Sequence, residues 1–183
     1  MEEYIFCEIT ESAETIRQAR QLMLDTFPKV GMWPDLDEKE ADETMKECTT
    51  DGNICLGIKI AGKLAGWVGL RPGYKATWEL HPLVLGLEFH GKGYGKILMF
   101  QLEKIAKTKG ITGIYVGSDD ETNKTSLSQV DITPQNIFHE IANIKNHNNH
   151  PYEFYQKCGY FIVGIVPNAN GNRKPDIMLW KGI

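Results

Sequence analysis

The sequence predicts a soluble domain of mixed α/β class, and three observations carry that expectation. Apolar residues alternate between strand-like runs and helix-spaced faces in the order strand, two helices, three strands, helix, strand, helix, two strands. A meander of strands followed by a strand-helix-strand crossover builds a mixed sheet with helices on its faces, unlike the strict alternation of a doubly wound dinucleotide fold. A length of 183 residues, 42% of them hydrophobic and 24% charged, fills one core without disulfide or metal staples. A single domain over residues 1–183 is therefore expected.

Tyr4 to Thr10 reads as a short strand. Ser12 and Thr15 open a helix whose apolar face is Ile16, Ala19, Leu22, Met23 and Phe27, with Pro28 expected to end it. After Gly31-Met32-Trp33-Pro34, an acidic segment forms a second helix up to about Cys48. Asn53 to Ile60 and Lys63 to Leu70 are apolar runs joined by Ala61-Gly62, the pattern of a hairpin. A third strand runs from Thr77 to about Gly86, a long helix from Lys96 to Lys109, and a strand from Ile111 to Gly117. Ser118 to Pro134 is a polar loop, and helical pieces around Gln135 to Asn143 and Pro151 to Lys157 precede closing strands at Tyr160 to Val166 and Asp176 to Lys181.

The net charge of −4 and pI near 5.7 argue against a general nucleic-acid binder and suit cationic partners better. The charge is unevenly spread. Eight acidic residues against Lys39 and Lys46 give the 34–51 segment −6, so the remainder carries +2. That segment is either a solvated helix face or a steering surface. Cys7, Cys48, Cys55 and Cys158 show no paired spacing and read as reduced thiols. Met1 to Thr10 lacks the order of a signal peptide, and no apolar run reaches the roughly 18 residues of a membrane span, so a cytoplasmic protein is expected. His147 and His150 lack a third ligand at supporting spacing, and no metal is expected.

The run His90-Gly91-Lys92-Gly93-Tyr94-Gly95-Lys96 places three glycines between a strand and a helix. Glycines there let a ligand approach the backbone, and the amides of a helix start, with Lys92 and Lys96, form an anion site. The alternative is a flexible turn, since P-loop spacing is absent. In the preceding strand, Pro82 marks an edge or a bulge, because proline cannot donate to a ladder. A bulge would free backbone groups of Leu83 and Leu85, with Val84 between them, for an extended ligand arm.

The glycine run resembles the R/Q-x-x-G-x-G/A signature of the GNAT acetyltransferases, with His90 where that superfamily has Arg or Gln. Trp78-Glu79-Leu80-His81-Pro82-Leu83-Val84, Leu127-Ser128-Gln129, the run from His150 to Tyr160, Pro167-Asn168-Ala169-Asn170-Gly171 and Lys174-Pro175-Asp176-Ile177 resemble the chromosomal aminoglycoside 6′-N-acetyltransferases of Gram-positive bacteria. The resemblance implies a GNAT fold: about six to seven strands, about four flanking helices and a bulged central strand. It implies acetyl-CoA as cosubstrate, held by residues 83–85 and 90–96, and a homodimer.

It also implies roles. Attack on a thioester needs a neutral amine, which makes Glu79 the candidate base. The amide of Leu83 is the candidate oxyanion donor, and Tyr155 the candidate acid for the departing thiolate. His81 is either an orienting group or a satisfied core histidine. Aminoglycosides are polycations, so Glu79, Asp119, Asp120 and Asp176 are candidate substrate ligands, with Phe27 and Tyr74 as stacking surfaces. Each aspartate can equally be a turn or cap residue. A polyamine or protein amine is the alternative acceptor. A CoA-binding module without turnover is a third reading, against which the pairing of Glu79 with Tyr155 argues.

Overall fold

A computed structural model describes residues 2–183 and gives seven strands and five α-helices, in line with the expected fold class. The chain forms two compact units, one reaching to Ile114 together with Ile183, the other covering Tyr115–Gly182.

In the first unit, β1 (Tyr4–Glu8), β2 (Ile54–Ile60), β3 (Lys63–Pro72) and β4 (Thr77–Leu85) pair antiparallel in that order. The β2–β3 hairpin turns on Ala61 and Gly62, with φ of 48° and 79°. Two successive positive-φ residues match the right-handed twist of the strands they join. The expected first strand is shortened because Ile9–Glu11 turns into a 3-10 helix.

α1 (Ala13–Val30) is capped by Ser12, whose Oγ accepts from the Thr15 amide at 3.1 Å. Pro28 does not end it, as the sequence reading expected: α1 continues to Val30, and the stop is Gly31, left-handed at φ 63°. Only glycine enters that conformation without a Cβ penalty, and its amide satisfies a carbonyl of the last turn. α2 (Glu38–Cys48) opens with a reciprocal capping box between Asp37 and Glu40.

α1 and α2 lay Ala19, Met23, Ala41, Met45 and Cys48 against Trp67 and Val84 of the sheet. Trp67 is fully buried, and its indole donates to the Ala19 carbonyl at 3.0 Å, so its polar atom is satisfied inside the core. Burying such large apolar side chains contributes about 1.5–3 kcal/mol each. α3 (Tyr94–Thr108) buries Tyr94, Leu98, Met99, Leu102 and Ala106 along one face.

In the second unit the strand order is β5 (Gly113–Asp119), β7 (Asp176–Gly182) and β6 (Phe161–Val166), with β6 and β7 antiparallel. The two helical pieces expected between β5 and β6 form as short helices, α4 (Ile137–Ala142) and α5 (Tyr152–Lys157). Among the described residues no helix is long and apolar enough to cross a membrane.

Candidate active site

β4 carries Glu79, His81, Leu83, Val84 and Leu85. In its pairing with β3, Val68 opposes Leu83 and Leu70 opposes Leu80, so Gly69 alone faces both His81 and Pro82. That is the bulge expected at Pro82: one extra residue on β4, placed where proline's missing N–H costs no ladder bond. The His81–Pro82 peptide bond is cis.

Two residues that sequence reasoning did not single out seat the bulge. Cys48 Sγ, at the end of α2, donates to the His81 carbonyl at 3.0 Å. Burial pushes its thiol up to about 12, so at neutral pH it is a protonated donor. Gly69 supplies the room, since a β-carbon there would lie 2.3 Å from the His81 oxygen. A glycine inside an apolar strand was the available signal for Gly69; Cys48 had none.

Glu79 stands directly opposite Arg71 in the β3–β4 register. Arg71 Nε donates to Glu79 Oε2 at 2.8 Å, and Arg71 Nη1 donates to Glu47 in the last turn of α2. The side chains of Arg71 and Glu79 are about three-quarters buried, whereas Glu47 is about half exposed. Arg71 is not marked in the sequence, because which residues pair across a turn depends on the length and geometry of that turn.

The acidic segment also looks different in three dimensions. Arg20 holds Glu38 and Asp42, Lys39 holds Glu43, Arg71 holds Glu47, and Asp37 and Glu40 cap the helix. Glu38, Asp42 and Glu47 thus tie α2 to α1 and β3 while their side chains stay more than half exposed.

Beyond β4, Gly91 and Gly93 take φ of 71° and 89°, and Gly93 is the N-cap of α3. Space around Gly91 is open, with no atom within 4 Å of a built β-carbon. The first intrahelical bond runs from the Ile97 amide to the Gly93 carbonyl at 3.2 Å, so the amides of Tyr94, Gly95 and Lys96 precede it and can meet an anion. Lys92 and Lys96 are exposed beside them. A pyrophosphate fits this arrangement of open glycines, helix-start amides and two cations. Tyr94 can contribute only backbone: its ring is buried against Tyr4 and Phe89, and its hydroxyl accepts from the Glu2 amide at 3.0 Å. His90 Nε2 donates to the Leu85 carbonyl at 2.7 Å and so bridges the strand end to the loop.

In the second unit Tyr155 lies on α5, 8% exposed, and burial raises its hydroxyl above the usual 10.0. Asp119, at the end of β5, accepts from the Asn170 side-chain amide, and its carbonyl accepts from His150 Nε2 at 3.0 Å. Asp176 begins β7, its carboxylate over Gly117, where a β-carbon would come within 2.6 Å of Oδ2.

Asp120 requires a correction as a substrate ligand. It is fully buried and accepts from the Lys124 amide at 2.6 Å, the Thr125 amide at 2.9 Å, the Thr125 hydroxyl at 2.7 Å and the Ser128 hydroxyl. Its carboxylate organises the 120–128 loop and has no face left for an acceptor. His150 is also committed, since Nε2 donates to Asp119 while Nδ1 accepts from the Tyr152 amide at 3.2 Å. Burial lowers its pKa, which keeps it neutral with both nitrogens used. Of the stacking candidates, Phe27 packs half-buried against Trp33 and the core, while Tyr74 is 71% exposed at the β3–β4 turn.

A bulged strand leading into a glycine-rich helix start is the frame of an acyltransferase. Residues 16–128 match the acetyltransferase (GNAT) family, and the chain belongs to it. Among solved structures it is similar to an aminoglycoside 6′-N-acetyltransferase complexed with coenzyme A, at 36% identity over 97% of this chain and 96% of that one, with a TM-score of 0.88. The aminoglycoside 6′-N-acetyltransferase from Enterococcus faecium is 35% identical over the same shares, with a TM-score of 0.85. An aminoglycoside 6′-acetyltransferase type Ii is 30% identical over 97% of this chain and 96% of that one, with a TM-score of 0.69. None of the curated proteins compared with the chain matches it.

Proposed function

We propose that the protein is an acetyl-CoA-dependent aminoglycoside 6′-N-acetyltransferase working by direct transfer, with both substrates bound together in one catalytic domain. The observation that carries this reading is the β4 bulge opposite Gly69, with Glu79 just before it and Leu83 just after, on the strand that leads into the Gly91–Gly95 anion site. Full-length similarity to aminoglycoside 6′-N-acetyltransferases supports the choice of acceptor.

Bound acetyl-CoA supplies a thioester whose carbonyl carbon accepts the amine. Residues 91–96 would hold its pyrophosphate, through the amides of Tyr94, Gly95 and Lys96 and the cations of Lys92 and Lys96, and residues 83–85 would hold the extended arm. Glu79 takes a proton from the acceptor ammonium, directly or through water, freeing the nitrogen lone pair. The Leu83 amide donates to the carbonyl oxygen as negative charge develops on it. His81, its carbonyl held by Cys48, keeps the bulge in shape. As the C–S bond breaks, Tyr155, held protonated by burial, gives its proton to the departing sulfur and is reprotonated, directly or through water, by the second proton that the acylated nitrogen sheds. In the first unit Glu79 offers acidity to a polycation, with Phe27 and Tyr74 as ring faces, and in the second Asp119 and Asp176 offer acidity as well.

The four free cysteines suit a reducing cytoplasm, where acetylation of the drug would confer resistance. The exposed apolar residues Phe161, Val163 and Val166 of the edge strand β6 support a homodimer.

The deciding experiment follows thiol release from acetyl-CoA with kanamycin-type substrates, with a polyamine and a peptide amine for comparison. Aminoglycoside-dependent release that Glu79→Gln abolishes is expected. Intact CoA binding with no stimulation by any aminoglycoside sinks the reading.

A further inference from the structure

One helical turn grips the β4 site at two points. Glu47 accepts from Arg71, and the next residue, Cys48, donates to the His81 carbonyl two positions beyond Glu79. Arg71 in turn donates to Glu79 Oε2 at 2.8 Å. Among the described residues, no hydrogen bond reaches Glu79 Oε1. A guanidinium is a planar fork of donors in fixed directions, so its two bonds hold one oxygen of each carboxylate in place. Two carboxylates around one guanidinium also leave a formal charge of −1 beside the bulge.

We propose that Glu47, Arg71 and Glu79 act as a unit in which Arg71 is a positioning residue for Glu79 and Glu47 sets the affinity for the cationic acceptor. Arg71 anchors Oε2 and leaves Oε1 directed to the acceptor ammonium. Without Glu47, the Arg71–Glu79 pair would be neutral, and the guanidinium would compete with the acceptor for the carboxylate. Glu47 restores a single net negative charge, enough to draw in one ammonium. This inference rests on the reading of Glu79 as the base.

The two partners should move kinetics in different directions. In Glu47→Gln the acceptor KM rises by about threefold to fivefold with kcat retained, as loss of a half-exposed charge predicts. In Arg71→Gln two carboxylates remain without their cation, so acceptor KM stays level or falls. Glu79 is no longer held, and kcat drops by about tenfold or more. Arg71→Lys, which keeps the charge and one donor, recovers part of kcat. The KM for acetyl-CoA is unchanged throughout, and the Glu47→Gln effect shrinks as salt is added.

Wild-type kcat in a folded Arg71→Gln, or an acceptor KM that rises in both variants, overturns the proposal. Should Arg71→Gln fail to fold, an unchanged acceptor KM in Glu47→Gln overturns it on its own. Failure of the wild type to acetylate any aminoglycoside sinks the underlying reading instead, whereas wild-type turnover with indifferent variants sinks only this unit.

Discussion

Gly69 lies so close beneath the β4 bulge that any β-carbon on it would stand 2.3 Å from the carbonyl oxygen of His81. The obstacle is backbone, which cannot rotate aside as a side-chain tip can. Gly69→Ala must therefore push β3 and β4 apart or flatten the bulge. Overpacking of this kind costs about 1–3 kcal/mol, which in a chain of this size lowers the thermal midpoint by roughly 3–10 °C. Because Leu83 follows the bulge, kcat should fall alongside. A variant with wild-type midpoint and turnover would show that Gly69 does not hold the bulge.

The buried thiols make a prediction at alkaline pH. Burial pushes Cys48 up to about 12 and also raises Cys55, which is buried in β2. The folded chain thus binds these protons more tightly than the unfolded one. The stability they contribute is complete below the ordinary thiol value of 9.0 and is lost as pH rises toward about 12. Each thiol adds a slope of up to about 1.4 kcal/mol per pH unit in that window. Urea unfolding across the window should show the loss, and Cys55→Ala should show a shallower one. An identical slope in that variant would remove Cys55 from the account.

Features written in neighbouring residues were legible in the sequence. Ala61-Gly62 announces a hairpin, Ser12 a helix start, Pro82 an edge or a bulge and Gly91–Gly95 a glycine-rich turn into a helix, each through local backbone chemistry. Pro28 misled because α1 runs past it by two residues, and the left-handed Gly31 is the actual terminator. Contacts between elements were not legible. Arg71 meets Glu79 only because the turn between β3 and β4 sets their register, and Cys48 meets His81 only because α2 ends beside the bulge. Asp120 looked like its neighbour Asp119, and only burial separates a loop organiser from an available carboxylate.

That burial makes Asp120 testable by acid. Burial alone would raise its carboxyl, but hydrogen bonds from Ser128, the Lys124 amide and Thr125 outweigh it and hold the group below the usual 3.8. The stability it contributes is therefore present above 3.8 and lost as pH falls through the lower folded value. Asp120→Asn turns an amide N–H toward donors and should cost about 2–3 kcal/mol at neutral pH. It should also flatten the acid limb of a urea-midpoint profile. Equal acid sensitivity in the two proteins would mean that other carboxylates dominate.

Tyr155 combines burial with the role proposed for it in the chemistry, and the two are separable by pH. Its phenol is raised above 10.0 first by burial and then by Cys158, so it remains a proton donor where an exposed tyrosine would ionise. Tyr155→Phe keeps the ring and its edge contacts with Phe154 and Tyr160, at centroid distances of 5.3 and 6.1 Å, and deletes only the proton. Loss of a positioned general acid should lower kcat by about a hundredfold while leaving the acceptor KM within about twofold. In the wild type, kcat should show no loss of activity as pH passes 10.0 that Tyr155→Phe removes. A kcat reduced less than about threefold would assign protonation of the leaving thiolate to water and leave Tyr155 a packing residue.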